Sequence, residues 1–186
     1  MSEMQDRAIT KVKLSQLWSR MLRTARFKSD AYLELANDKG ATGQAVAVLF
    51  LAALSYAFGF TLFNGPLVLY SVLVGILTSL LLSLIAGLVW AITVFLVGTK
   101  LFQGKTRFWD LARPLFFATA PGIFFVFIAI PAEVVFRGVT AVVAFWIIAC
   151  GVVATKNAMG FSYTRSMLTY TVGFLVGIAL SGFFGF

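Results

Sequence analysis

After a start of about forty residues in which charged and apolar side chains intermingle, the chain falls into five long apolar runs. They lie at 41–62, 67–99, 111–130, 134–155 and 166–186. Some twenty apolar residues make a helix long enough to cross a hydrocarbon core about 30 Å thick, so each run predicts one spanning helix. Phe63-Asn64-Gly65-Pro66 carries the turn chemistry that ends the first. The second run would be about 50 Å long as a helix. Two spans and a turn need roughly forty residues, so 67–99 predicts a single long, tilted helix. Pro121 interrupts the third run and predicts a kink, which Gly122 beside it eases; Pro131 marks the run's end.

Residues 1–40 carry a different periodicity. Leu14, Leu17, Trp18, Met21, Leu22 and Ala25 recur at the spacing of one helix face. Lys11, Lys13, Arg20, Arg23, Arg26 and Lys28 surround that stripe. A basic helix with a Trp-bearing apolar face suits a position flat on an anionic leaflet, or docking to a cytoplasmic partner through the same face. The arm has no early apolar run of the kind that makes a secretory signal, so it is expected to persist. The expected fold class is therefore an all-α integral membrane protein: a bundle of five transmembrane helices with an N-terminal amphipathic cytoplasmic helix.

Charge agrees with this layout. Of 22 charged residues among 186, thirteen precede residue 40 and none lies between Lys39 and Lys100. Hydrophobic residues make up 60% of the chain and charged ones 12%, far from the balance of a soluble domain. Basic residues collect beside cytoplasmic span ends. Five spans put the arm, the Lys100–Lys105–Arg107–Arg113 group and the Lys156–Arg165 group on one side. The N-terminus is then cytoplasmic and the C-terminus outside. Dividing the long second run would break that pattern.

Small residues form two ladders of period four. One is Ser71, Gly75, Ser79, Ser83, Gly87 and Ala91; the other is Gly173, Gly177, Ser181 and Gly185. Such ladders let helix backbones approach closely in lipid, either inside the bundle or against a partner. Phe174, Phe183, Phe184 and Phe186 leave the far end of the last run aromatic. Glu133 and Arg137 are spaced to pair on one helix face at the start of the fourth run. Cys150 is the single cysteine, so no intrachain disulfide forms, and histidine is absent. No metal-ligand spacing, phosphate loop, nucleotide fingerprint or nucleophile–base set occurs. The expectation is a non-enzyme with no cofactor and no catalytic or metal residues.

Three segments carry a family resemblance. Tyr32-Leu33-Glu34-Leu35-Ala36-Asn37-Asp38 precedes Ala41-Thr42-Gly43-Gln44-Ala45 at the first span. Phe102-Gln103-Gly104-Lys105-Thr106-Arg107-Phe108 leads to Leu111-Ala112-Arg113 and Ala120-Pro121-Gly122. Trp146 is followed by Gly160-Phe161-Ser162 and Arg165-Ser166. In order and spacing these resemble the prokaryotic branch of the Yip family, the Ypt/Rab-interacting membrane proteins. The resemblance implies a five-helix bundle with a cytoplasmic N-terminus, here in a bacterial inner membrane. Eukaryotic members are linked to small GTPases, vesicle traffic and membrane shaping.

The leading expectation is a membrane scaffold or accessory subunit binding other membrane proteins, itself or lipids, with no nucleic-acid partner. It would use the ladders and hold an anionic cytoplasmic leaflet with the arm. One alternative is a small transporter or channel module using the Pro121 kink and Glu133–Arg137. Another is a protein that shapes the bilayer with its arm.

Overall fold

The computed structural model describes the backbone of residues 2–65 and 68–184, and the side chains of 14–65, 68–173, 175 and 176. Seven α-helices follow in order: α1 (Ser2–Ala25), α2 (Ser29–Asn37), α3 (Thr42–Asn64), α4 (Leu69–Leu96), α5 (Phe108–Ala118), α6 (Glu133–Met159) and α7 (Tyr163–Phe184). The described residues are all-helical and contain no strand. Among them, four helical segments are long and apolar enough to cross a membrane: Lys39–Asn64, Leu69–Leu101, Phe108–Ala129 and Glu133–Met159. By that measure the chain is a membrane protein.

The long second run is one unbroken helix, as its spacing predicts. α4 continues through a π-helical turn, Val97–Leu101, giving 33 residues in all. Its glycines and serines lie on the half-buried face, and α3 is what the glycines meet. Gly75 sits against Thr61 and Gly87 against Leu49. The opposite face exposes Leu73, Leu77, Leu81 and Leu88, as a lipid-facing helix should.

The third run is not a simple kinked helix. α5 stops at Ala118, and a ten-residue 3₁₀ helix, Ala120–Ala129, completes the span. Pro121 has no N–H to continue the α pattern, and Gly122 N–H bonds back three residues to Thr119 O at 2.7 Å. Runs this long are uncommon for 3₁₀ geometry, in which residues three apart eclipse one another. Straight ridges result. Gly122, Phe125 and Ile128 lie along α3, meeting Ala52 and Gly59. Phe124 and Phe127 form a second ridge, their rings stacked 6.2 Å apart.

The helices close into a ring in which α4 touches α3, α3 touches the third span, and that span touches α6. α7 then packs against both α6 and α4. Gly173 of α7 lies against Val94 of α4, and Gly151 of α6 lies under the ring of Tyr170 from α7. Several polar side chains within the spans return their donors to backbone carbonyls, as Thr93 does to Val89 O and Ser166 to Val152 O, whereas Thr61, Trp90 and Thr140 have no partner for theirs. The arm belongs to the same core. α2 packs against α5 and α6, and the end of α1 reaches α5, α6 and the 3₁₀ helix.

Candidate functional site

α1 and α2 form a tight helical hairpin. The turn between them has Lys28 N–H bonded to Arg23 O and Phe27 N–H to Thr24 O, the paired bonds of a Schellman motif. Phe27 takes the left-handed position there, φ 60°, where glycine is usual.

A helix end leaves four carbonyls without partners, and away from water each must find a donor. The spans and Tyr32 of α2 supply donors. Trp146 Nε1 donates to Ala25 O at 2.8 Å, and Cys150 Sγ approaches Thr24 O at 3.6 Å. Tyr32, fully buried, donates its hydroxyl to Thr24 O at 2.7 Å. At the end of α2, Arg113 Nε donates to Leu35 O at 3.0 Å and Nη2 to Ala36 O at 2.6 Å. A cation on a helix C-terminus also meets the negative end of the helix dipole. Side chains of α5 and α6 thus cap both arm helices.

A charge cluster holds the hairpin's other end. Arg20 is only 5% exposed and uses all three guanidinium nitrogens. Nε donates to Glu34 at 2.9 Å, Nη1 to Gln44 at 2.8 Å and Nη2 to Asp38 at 2.6 Å. Arg23 bridges Glu34 and Asp30. The Arg20 guanidinium holds the Asp38 carboxyl below its ordinary range, helped by the Gly40 N–H on its second oxygen. Burial works to raise the Glu34 carboxyl, and the bonds from Arg23 and Arg20 outweigh it.

The predicted stripe is divided between two surroundings. Met21 is buried and Leu17 half-buried, while Leu14, Trp18 and Leu22 are exposed, Trp18 by 58%. Arg26 is exposed and, among the described residues, has no carboxylate partner. Of the ladder positions, Ser71, Gly75, Ser79, Ser83 and Gly87 face inward on α4, as does Gly173 on α7. Gly177 and Ser181 lie outside the residues whose side chains are described, and Gly185 and Pro66 outside the described residues altogether. Glu133 accepts from Arg137 Nε at 2.6 Å at the exposed start of α6. Pro121 is buried beside Gly122, which touches Ala52.

The capping residues Arg113, Trp146 and Tyr32 and the carboxylates Glu34 and Asp38 were not singled out as site residues. A signal for α2 is present. Ala31, Tyr32, Leu35 and Ala36 fall at i, i+1, i+4 and i+5, and all four are buried.

Trp146 is the midpoint of α6, about 20 Å from either end. Beyond the hairpin tip, the slot between the third span and α6 continues as an open apolar groove of about 320 Å³. Phe124 and Phe127 form one wall, Gly138, Val139, Val142 and Val143 the other, and Trp146 the inner end. The Trp146 indole stacks on Phe124 at 5.9 Å while its N–H holds the hairpin, so one residue ends both halves of the slot. No family model, curated protein or solved structure matches the chain.

Proposed function

We propose that this chain is a non-enzymatic scaffold or accessory subunit of a membrane, binding other membrane proteins or lipids through its helix faces and arm. In this reading α7 crosses the membrane as a fifth span, the N-terminus is cytoplasmic and the C-terminus outside. The Yip-family placement is part of the same proposal and rests on the resemblance in sequence.

The observation that carries it is the docking of the hairpin. Arg20 and Arg113, the buried cations among the described residues, are spent on anchoring the arm, together with Asp30, Glu34, Asp38 and Asp110. Fixing the arm this way leaves Leu14, Trp18 and Leu22 exposed on a rigid helix, a rigid face for a partner. A transport reading has less support, because the Glu133–Arg137 pair lies at the surface and Pro121 is closely packed. A bilayer-shaping reading has one observation in its favour. Arg26 and Lys28 flank the hairpin tip as exposed cations, which in that reading would reach the water or phosphate of one leaflet.

Purification from gently solubilised native membranes tests the scaffold. A stoichiometric membrane-protein or lipid partner should co-isolate with the wild type and be lost when Leu14, Trp18 and Leu22 become glutamate. A lone monomer with the same lipid content as bulk membrane would refute it. Tubulation of vesicles by the purified protein, lost on Phe27→Glu, would favour bilayer shaping instead.

A further inference from the structure

We infer that the tip of the arm hairpin, Arg26-Phe27-Lys28, is a binding surface for anionic phospholipids. The two cations hold head-group phosphates, and the phenyl ring between them enters the acyl layer. This rests on the reading of the arm as lipid-binding and deepens it by naming the residues and the head group.

Position argues for a lipid surface. The tip ends at Trp146, whose indole N–H bonds Ala25 O at the end of α1. On one side of that level the hairpin covers the bundle. There α2 turns Asp30, Leu33, Glu34 and Asn37 outward, a mixed face suited to water. On the other side α6 exposes Val142 and Phe145, by 64% and 74%, and the 3₁₀ helix exposes Phe124, Val126 and Phe127. A charged face therefore gives way to a hydrocarbon face at the tip. The next charges along α6 are Arg137 and Glu133. From Trp146 to Glu133 α6 rises about 20 Å, against a hydrocarbon core about 30 Å thick. Long cationic side chains make up part of the difference by reaching outward, and phosphates drawn in to the tip make up the rest.

Charge selects the head group. The carboxylates that follow the tip are already engaged, because Arg23 donates to Asp30 at 2.7 Å and to Glu34 at 2.8 Å. Arg26 and Lys28 are exposed and, among the described residues, have no carboxylate partner. Beside hydrocarbon an unneutralised cation needs a counter-ion, and phosphate is the anion of a bilayer surface. A zwitterionic head brings an ammonium that two cations repel, so a lipid of net negative charge is the better match.

The residue between the cations argues the same way. Phe27 sits at φ 60°, a conformation that disfavours any L side chain and a bulky one most. Glycine would make the same turn without that cost. The ring is 44% exposed, so packing uses only part of it, and its retention at a strained position points to a use outside the fold. An aromatic ring flanked by cations suits the boundary between head groups and acyl chains.

The test uses the full chain with Phe27 replaced by the photoreactive analogue benzoylphenylalanine, in nanodiscs of equal parts phosphatidylglycerol and phosphatidylcholine. Lipid adducts should be enriched in phosphatidylglycerol. The enrichment should fall about fivefold with Arg26→Gln or Lys28→Gln and about thirtyfold with both. Raising the salt should lower it. Lys100→Gln/Lys105→Gln, which removes as much charge elsewhere, should leave it unchanged. Thermal unfolding confirms that each chain is folded. If the photoreactive chain is not, native mass spectrometry decides: Arg26→Gln/Lys28→Gln should retain fewer phosphatidylglycerol molecules than the wild type. Adducts in the bulk ratio, an enrichment or retention that the tip variants leave intact, or cross-links to protein instead of lipid would overturn the inference. A wild type that isolates without a protein partner yet shows the enrichment refutes the scaffold's protein-binding face and leaves the tip standing. The opposite pair of results refutes the tip and leaves that face.

Discussion

Replacing Arg20 by glutamine is the sharpest probe of the docked hairpin. The change removes a cation whose side chain is 6% exposed and leaves Glu34, Asp38 and Gln44 to rearrange. Removing one partner of a fully buried ion pair costs about 3–5 kcal/mol, because the other charge stays buried. Here the two carboxylates are 36% and 37% exposed, so water recovers part of the loss. The expected cost is about 2–3 kcal/mol. Arg23 provides an internal control. It makes two carboxylate contacts, but its side chain is 36% exposed, so Arg23→Gln should cost about 0.5–1 kcal/mol. Reversible unfolding in mixed micelles measures both, and tryptic cleavage after Arg26 or Lys28 reports whether the hairpin has left the bundle. If Arg20→Gln costs no more than Arg23→Gln, burial of the cluster is not what anchors the arm. An Arg20→Gln/Asp38→Asn double variant should restore part of the loss, since it removes one carboxylate together with the cation.

Trp146→Phe keeps the stacking ring but leaves Ala25 O without its donor, and should cost about 1–2 kcal/mol in the same unfolding assay. Gly151→Ala places a methyl group on the Tyr170 ring and should cost about 1–3 kcal/mol by overpacking. Gly138→Ala, on the same helix but facing open space, should instead be neutral or gain up to about 1 kcal/mol from helix propensity. Acid should loosen the charge cluster. The Glu34 and Asp38 carboxyls lie below their ordinary values of 4.5 and 3.8, so the folded state binds protons less readily than the unfolded chain. Their contribution is complete above about pH 5 and is lost as the pH falls through the lower folded values. Stability of the wild type measured from pH 7 down to pH 3 should drop at the acid end, and the drop should shrink in Arg20→Gln.

The spans were legible because lipid imposes one rule over their whole length. An unbroken apolar run such as 67–99 has few other outcomes, and α4 is that run as a single helix. Its ladder of small residues was legible as a close approach, but which helix it would meet was not. Gly75 and Gly87 meet α3, and nothing local to α4 specifies Thr61 or Leu49. The hairpin was the hardest to see. Arg20 follows the helical stripe as an ordinary polar position, and its burial depends on Glu34, Asp38 and Gln44 folding back over it. Arg113 looks like a cytoplasmic loop charge. Its partners are carbonyls 77 and 78 residues earlier, where no side-chain pattern announces them. Pro121 signalled an irregularity in the third span, but a kink and a ten-residue change of helical period are written alike in sequence.

That change of period explains why the slot is filled by the hairpin at one end and open at the other. The third span must face α3 on one side and α6 on the other. In its α-helical part, Phe108–Ala118, residues from Leu111 to Ala118 are buried all round, because α2 covers the side that α3 and α6 leave open. From Ala120 onward the three-residue period lines up Gly122, Phe125 and Ile128 on α3, which leaves Phe124 and Phe127 on the side toward α6, where Phe124 stacks on Trp146. An α-helix would rotate successive aromatic side chains around its axis and fill the space beside Val142 in places. A 3₁₀ helix keeps the space straight and open from end to end. The arm cannot extend into it, because its carbonyl ends are bound at Trp146 and Cys150, halfway along α6. The inner end of the opening is therefore fixed by the same indole that fixes the hairpin.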